Sequence, residues 1–135
     1  MMTMNSLRLG SALLAAGLLT LLAGGRAAAQ TNGQVVHLAQ IEVYPAQLAS
    51  YHAALKEHIE TALRVEPGVL TLYPLADVAH PTHITVLEIY ASPAAYQAHL
   101  QSPHFLKYKR GTKDMVKSLA LIDTVPLLPA VKVKN

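Results

Sequence analysis

Between Glu66 and Phe105 the chain reads EPGVLTLYPLADVAHPTHITVLEIYASPAAYQAHLQSPHF, and this stretch constrains the fold more than any other. Pro67 drives the residue before it out of helical geometry, and Gly68 permits a sharp reversal, so a helix must stop here. Val69 to Leu75 then predicts a strand, and Ala76 to Thr82, punctuated by Pro81, a loop. His83 to Tyr90 is rich in Ile, Thr, Val and Tyr and predicts the next strand. Ser92-Pro93 opens a helix, because the hydroxyl caps free amides and proline at the first helical position forfeits no hydrogen bond. Ser102-Pro103 repeats the device, so the segment to Gly111 reads as a new short helix at a different angle.

The flanks complete the pattern. Val35 to Tyr44 is a β-branched run ended by Pro45, with Gln40 and Glu42 two apart on one face of a strand. Leu48, Tyr51, Leu55, Ile59, Ala62 and Leu63 recur at three- and four-residue steps, with His52, Lys56, Glu57 and Glu60 on the outward side of the resulting helix. After a basic stretch ending at Lys117, Leu119 to Leu127 predicts the fourth strand. The order is βαββαβ, the ferredoxin-like plan of an α+β domain with helices on one face of a four-stranded sheet. The other face carries Val, Leu, Thr and Tyr and needs a cover. A second copy packed sheet against sheet is the economical one, which predicts a homodimer closing toward a barrel.

The N-terminus reads as targeting rather than fold. Arg8 precedes an apolar run from Ala12 to Ala23, and Ala27-Ala28-Ala29 has the small-x-small form of a signal peptidase site. Cleavage is expected after Ala29, leaving Gln30 to Asn135 as a single domain in the periplasm or secreted; a retained anchor is the other reading. The apolar run is short for a membrane span, so no stable insertion of the mature chain is expected. The formal charge of +3 falls to +1 once Arg8 and Arg26 are gone, which removes any bulk attraction to nucleic acid. With no cysteine, disulfides and thiolate chemistry are excluded, and one Phe and no Trp make the core aliphatic.

Glu66-Pro67-Gly68 followed by Leu72-Tyr73, then Leu87-Glu88-Ile89-Tyr90, Ala94-Ala95, and His99 with Ser102-Pro103-His104-Phe105 give the chain a specific resemblance. It resembles the antibiotic-biosynthesis monooxygenase family, and within it the small quinol monooxygenase-like proteins, from about Val36 to Val125. The resemblance implies a dimeric α/β barrel and cofactor-free oxidation of a small electron-rich aromatic, such as a quinol or anthrone, by molecular oxygen. The haem-degrading members look as though they need a Trp beside the porphyrin, and this chain has none. The signal peptide is unusual for a family met mostly in the cytoplasm.

Oxygenation without metal or flavin needs a base with a near-neutral pKa, a dry pocket and donors that hold an anion. His99 is the first candidate for the base, weighed against a structural histidine bonded to the following Ser-Pro turn. His104 carries the same two readings. Glu88 is either a desolvated proton acceptor inside the barrel or a polar partner at a dimer interface, and Glu42 carries the same pair of readings. Tyr73 is a candidate substrate contact, while Tyr90 reads as core. The seven histidines show no metal-ligand spacing, so no metal site is expected and surface positions are the default for the others. Lys107, Lys109, Arg110, Lys113 and Lys117 read as a solvated face, or as a lure for an anionic substrate. A non-catalytic binding protein for a small hydrophobic molecule and a cofactor-free isomerase stand as the alternatives.

Overall fold

The computed structural model describes residues 33–128, so the signal-peptide reading of residues 1–29 and the tail from Pro129 to Asn135 lie outside the described residues. The elements are β1 (Val35–Val43), α1 (Leu48–Val65), β2 (Val69–Ala76), β3 (His83–Tyr90), α2 (Pro93–Leu100), α3 (Pro103–Thr112) and β4 (Val116–Thr124). A single 3-10 turn at Pro45–Gln47 joins β1 to α1. The four strands form one antiparallel sheet in the order β2-β3-β1-β4, the ferredoxin-like arrangement that the sequence predicts. The sheet is open, with β2 and β4 at its edges. Among the described residues, no helix is long and apolar enough to cross a membrane.

Register decides which side chains share a face, because residues directly opposite in an antiparallel pair point the same way. Ile41 pairs with Ile84, Ala39 with Val86, and His37 with Glu88, and these look toward the helices. The alternate set, Leu38 with Leu87 and Gln40 with Thr85, looks away from them. The helix-side residues join Tyr51, Leu55, Ile59 and Ala62 of α1 in the core. The predicted outward residues of α1, His52, Lys56, Glu57 and Glu60, are all exposed. Leu63, read as part of the apolar stripe, is instead 47% exposed, since it lies at the flank of that stripe near the helix end.

Two readings change in their physical detail. β4 spans Val116–Thr124 rather than Leu119 to Leu127; Lys117 and Ser118 fit within it because an edge strand leaves their side chains in water. Gly68 is not required for a left-handed backbone, since Gly33 alone among the described glycines has positive φ. A Cβ at Gly68 would stand 2.5 Å from the Cβ of Ala95, so glycine is needed for the close approach of the β2 entry to α2.

Candidate active site

Both Ser-Pro helix starts form as the sequence predicts. Ser92 Oγ accepts from the Ala95 amide at 3.1 Å, and Ser102 Oγ accepts from the Phe105 amide at 3.3 Å. The Ser102 hydroxyl also donates to the His99 carbonyl at 2.8 Å, tying the end of α2 to the start of α3. This sharp junction fixes His99 in the last turn of α2 and His104 in the first turn of α3, side by side.

Glu66 completes the cluster. As the residue before Pro67 it takes extended geometry, φ −109° and ψ 103°, which ends α1 and carries the side chain off the helix axis. Its Oε1 accepts from His99 Nδ1 at 2.9 Å and from His104 Nε2. A carboxylate only accepts, so both of those ring nitrogens carry their proton. A neutral His99 then has its lone pair on Nε2, which no described residue hydrogen-bonds. His99 is 2% exposed. Its ring packs against Tyr90 and Phe105 at centroid distances of 5.3 and 5.1 Å.

His99 lies on the wall of a cavity of about 400 Å³ between the sheet and the helices. Ile41, Leu55, Leu72 and Val86 supply apolar wall, and Tyr90, Tyr96, Phe105 and Tyr108 supply aromatic rings. Glu88 lines the same cavity. Burial pushes its carboxyl above the usual carboxylate range, against the opposing effects of the Tyr90 hydroxyl and of His37 and His99. Tyr90 donates to Glu88 Oε2 at 2.9 Å, so Tyr90, although 1% exposed, is more than core packing. Burial also raises the Tyr51 and Tyr108 hydroxyls, which share a 2.6 Å hydrogen bond at the cavity wall.

The structure therefore brings His99 and Glu88 together. It separates the other sequence candidates from them. Tyr73 pairs with Leu87 on the sheet face turned away from the helices and is 59% exposed, so it does not touch this cavity. Glu42 lies on that same outer face, where Lys117 Nζ donates to it at 2.7 Å and holds its carboxyl below the usual range. His104 is half-buried and shares the Glu66 oxygen with His99, but it does not line the cavity. The register of Glu88 with His37 puts it on the opposite face, toward the helices.

Glu66 and His58 are the residues that sequence reasoning missed. Glu66 was visible as the residue before Pro67, but nothing in the sequence tied it to His99, 33 residues away. His58 was taken for a surface histidine, yet it is buried, with its ring stacked on Tyr108 at 4.7 Å and 9°. Its Nδ1 has no hydrogen-bond partner among the described residues, and burial, then the proximity of His99 and His104, pushes its pKa down to about 3. His37 is likewise buried, bonded through Nε2 to Asp123 at 3.0 Å. Ligand-type atoms of Glu66, His99 and His104 lie within 4.8 Å of one another, a donor set of metal-binding type that the spacing rules had not suggested. The hydrogen bonds into Glu66 already account for that convergence.

The sequence profile described as antibiotic biosynthesis monooxygenase matches residues 34–111, more than half of the chain. The fold is shared with a crystallised candidate antibiotic biosynthesis monooxygenase from Bacteroides thetaiotaomicron, 51% identical, with a TM-score of 0.74. That match covers 77% of this chain and 99% of the other. A candidate monooxygenase from Lactobacillus acidophilus is 29% identical, with a TM-score of 0.68, over 70% of this chain and 45% of the other. A protein from Nitrosomonas europaea, 20% identical, has a TM-score of 0.67 over 73% of this chain and 95% of its own, and speaks for the fold alone. No protein with a curated description matches the chain.

Proposed function

Because the chain belongs to the antibiotic biosynthesis monooxygenase family, we propose that its cavity oxygenates a small electron-rich aromatic of the quinol type without a bound cofactor. The observation that carries this reading is the buried His99, anchored on Glu66 through Nδ1 and facing the cavity that also holds Glu88. Triplet oxygen reacts slowly with closed-shell molecules, so the substrate itself has to become the electron donor. His99 Nε2 takes a phenolic proton, and the resulting anion passes an electron to oxygen. Recombination forms a carbon–oxygen bond, and cleavage of the oxygen–oxygen bond releases water. For a quinol, one oxygen atom enters the ring, and the substrate supplies all four electrons as it becomes the hydroxyquinone.

Each protein group has a defined task in this scheme. Glu66 holds His99 in the productive tautomer and stabilises the imidazolium once the proton has moved. Glu88 is the second proton acceptor, made more basic than an ordinary carboxylate by its burial. The apolar walls keep water from the anion. We extend the proposal to an exported homodimer acting outside the cytoplasm. Exposed Leu75, Tyr73 and Ile122 on the outer face of the sheet support a sheet-to-sheet dimer, and the targeting signature before Gln30 supports export.

The test is oxygen uptake by the purified protein with a panel of reduced quinols and anthrones, alongside His99→Ala and Glu66→Gln. Uptake above autoxidation, transfer of isotope-labelled oxygen into the product, and loss of both in His99→Ala with the fold intact support the proposal. Saturable ligand binding with no uptake across the panel refutes it in favour of a binding protein.

A further inference from the structure

The mouth of the cavity carries charge that the proposed chemistry leaves unused. Lys109, in the last turn of α3, and Lys113, at its C-terminal cap, both line the cavity while remaining exposed. The other lysines among the described residues are paired: Lys107 with Glu57, Lys56 with Glu60, and Lys117 with Glu42. Among the described residues, neither Lys109 nor Lys113 has a carboxylate partner within 4.0 Å. The Lys109 ammonium stands 5.9 Å from the centre of the Phe105 ring, which is itself cavity wall.

Two like charges one helical turn apart repel, and the C-terminal end of the helix dipole offsets part of that cost. The dipole would be served equally by lysines pointing away from the cavity, whereas these two stand at its opening. Among the described residues, Glu88 is the only acidic side chain on the wall. The cavity wall thus combines two candidate proton acceptors, aromatic rings and two exposed ammonium groups.

Resting on the site reading above, we infer that the substrate is an amphipathic anion. It is a hydroxylated aromatic whose hydroxyl meets His99 and Glu88 and whose acidic group, a carboxylate or its equivalent, lies between Lys109 and Lys113. The acidic group stays at the wet end of the cavity, where its hydration is only partly lost, and the rim fixes which end of the ring enters first. Orientation and selection against neutral aromatics follow from the same two ammonium groups.

The experiment compares two non-oxidising fluorescent probes, 6-hydroxy-2-naphthoate and 2-naphthol, which differ by the carboxylate. Each is titrated into the purified protein, into Lys109→Met/Lys113→Met, and into Lys107→Met as a surface control outside the cavity. The wild type is expected to prefer the carboxylate probe. The double variant should lose that preference by roughly tenfold, as two partly exposed ion pairs allow. Raising the salt concentration should weaken the carboxylate probe alone, Lys107→Met should keep the wild-type ratio, and Lys109→Arg/Lys113→Arg should largely restore it. Saturable binding of both probes with a ratio insensitive to the double substitution overturns the anion inference and leaves the cavity reading standing. If neither probe binds the wild type, the cavity reading falls, and the inference with it.

Discussion

His58 makes the acid stability of the domain a measurable consequence of its packing. The imidazole lies between Tyr108, on which it stacks, and the rings of His99, His104 and Phe105. Glu66, bonded to both neighbouring histidines, is the acidic group of the cluster. In the folded state the pKa of His58 is about 3, against an ordinary value of 6.5 in the unfolded chain. The unfolded chain therefore binds more protons between those values, and stability falls as the pH drops from 6.5 toward 3. From about pH 8 to about pH 5 this single group should cost roughly 2 kcal/mol, a shift in urea midpoint on the order of 1 to 2 M for a domain of this size. His58→Phe keeps a ring against Tyr108, removes the unpartnered Nδ1 and cannot be protonated. Urea denaturation of both proteins at the two pH values should show a markedly smaller acid loss in the variant. Parallel losses would refute the reasoning, because His58 would then not be held neutral by its surroundings.

Two further substitutions test the cavity wall and the packing around it. Glu88→Gln should gain stability relative to the wild type as the pH rises from 4.5 through the raised pKa of the folded carboxyl, because the variant has no buried charge to form. Urea midpoints that differ by the same amount at about pH 4 and about pH 8 would contradict this. Gly68→Ala should destabilise the fold by about 1 to 3 kcal/mol, because the new methyl meets Ala95 at 2.5 Å. An unchanged thermal midpoint would show that α2 moves aside freely.

The elements were legible in the sequence because each is bounded by residues whose backbone limits are local. Pro45, Pro67 and the two Ser-Pro pairs set helix and strand ends without reference to the rest of the chain, and β3 falls on His83–Tyr90 as expected. The helical stripe from Tyr51 to Ala62 gave the core face of α1 by periodicity alone. The site was only half legible. Alternation showed that Glu88 and Tyr73 lie on definite faces of β3 and β2, but not which face the helices cover. Register settles that, and register depends on pairing between distant segments. His58 escaped notice because its polar identity outweighed its position, three residues after Leu55 and one before Ile59 on the buried side. The lysines at the cavity rim looked like an ordinary solvated face because their exposure is real; what sequence could not supply was the cavity beside them.

The residues that end and begin helices here also aim the groups of the site, and this coupling can be broken at one position. Pro67 keeps Glu66 extended, so its carboxylate leaves the axis of α1 and reaches the α2–α3 junction. Pro67→Ala lifts the steric bar on helical geometry at Glu66 and removes no backbone hydrogen bond, since proline has no N–H to lose. The extra freedom of the unfolded chain costs only about 0.4 to 1 kcal/mol, so the variant should fold. Glu66 can then continue α1 by a residue, which would turn its carboxylate away from His99. The tautomer of His99 would no longer be fixed, and proton abstraction at Nε2 should slow on the order of 10- to 100-fold, as when an orienting partner of a functional histidine is lost. Nitrogen-detected NMR of the imidazoles reads the tautomer directly, separately from activity. If the His99 signals stay those of an Nδ1-protonated ring and turnover is unchanged, the proline acts as a helix stop and nothing more. If the tautomer becomes mixed while the thermal midpoint barely moves, the same backbone constraint that ends α1 also sets the base.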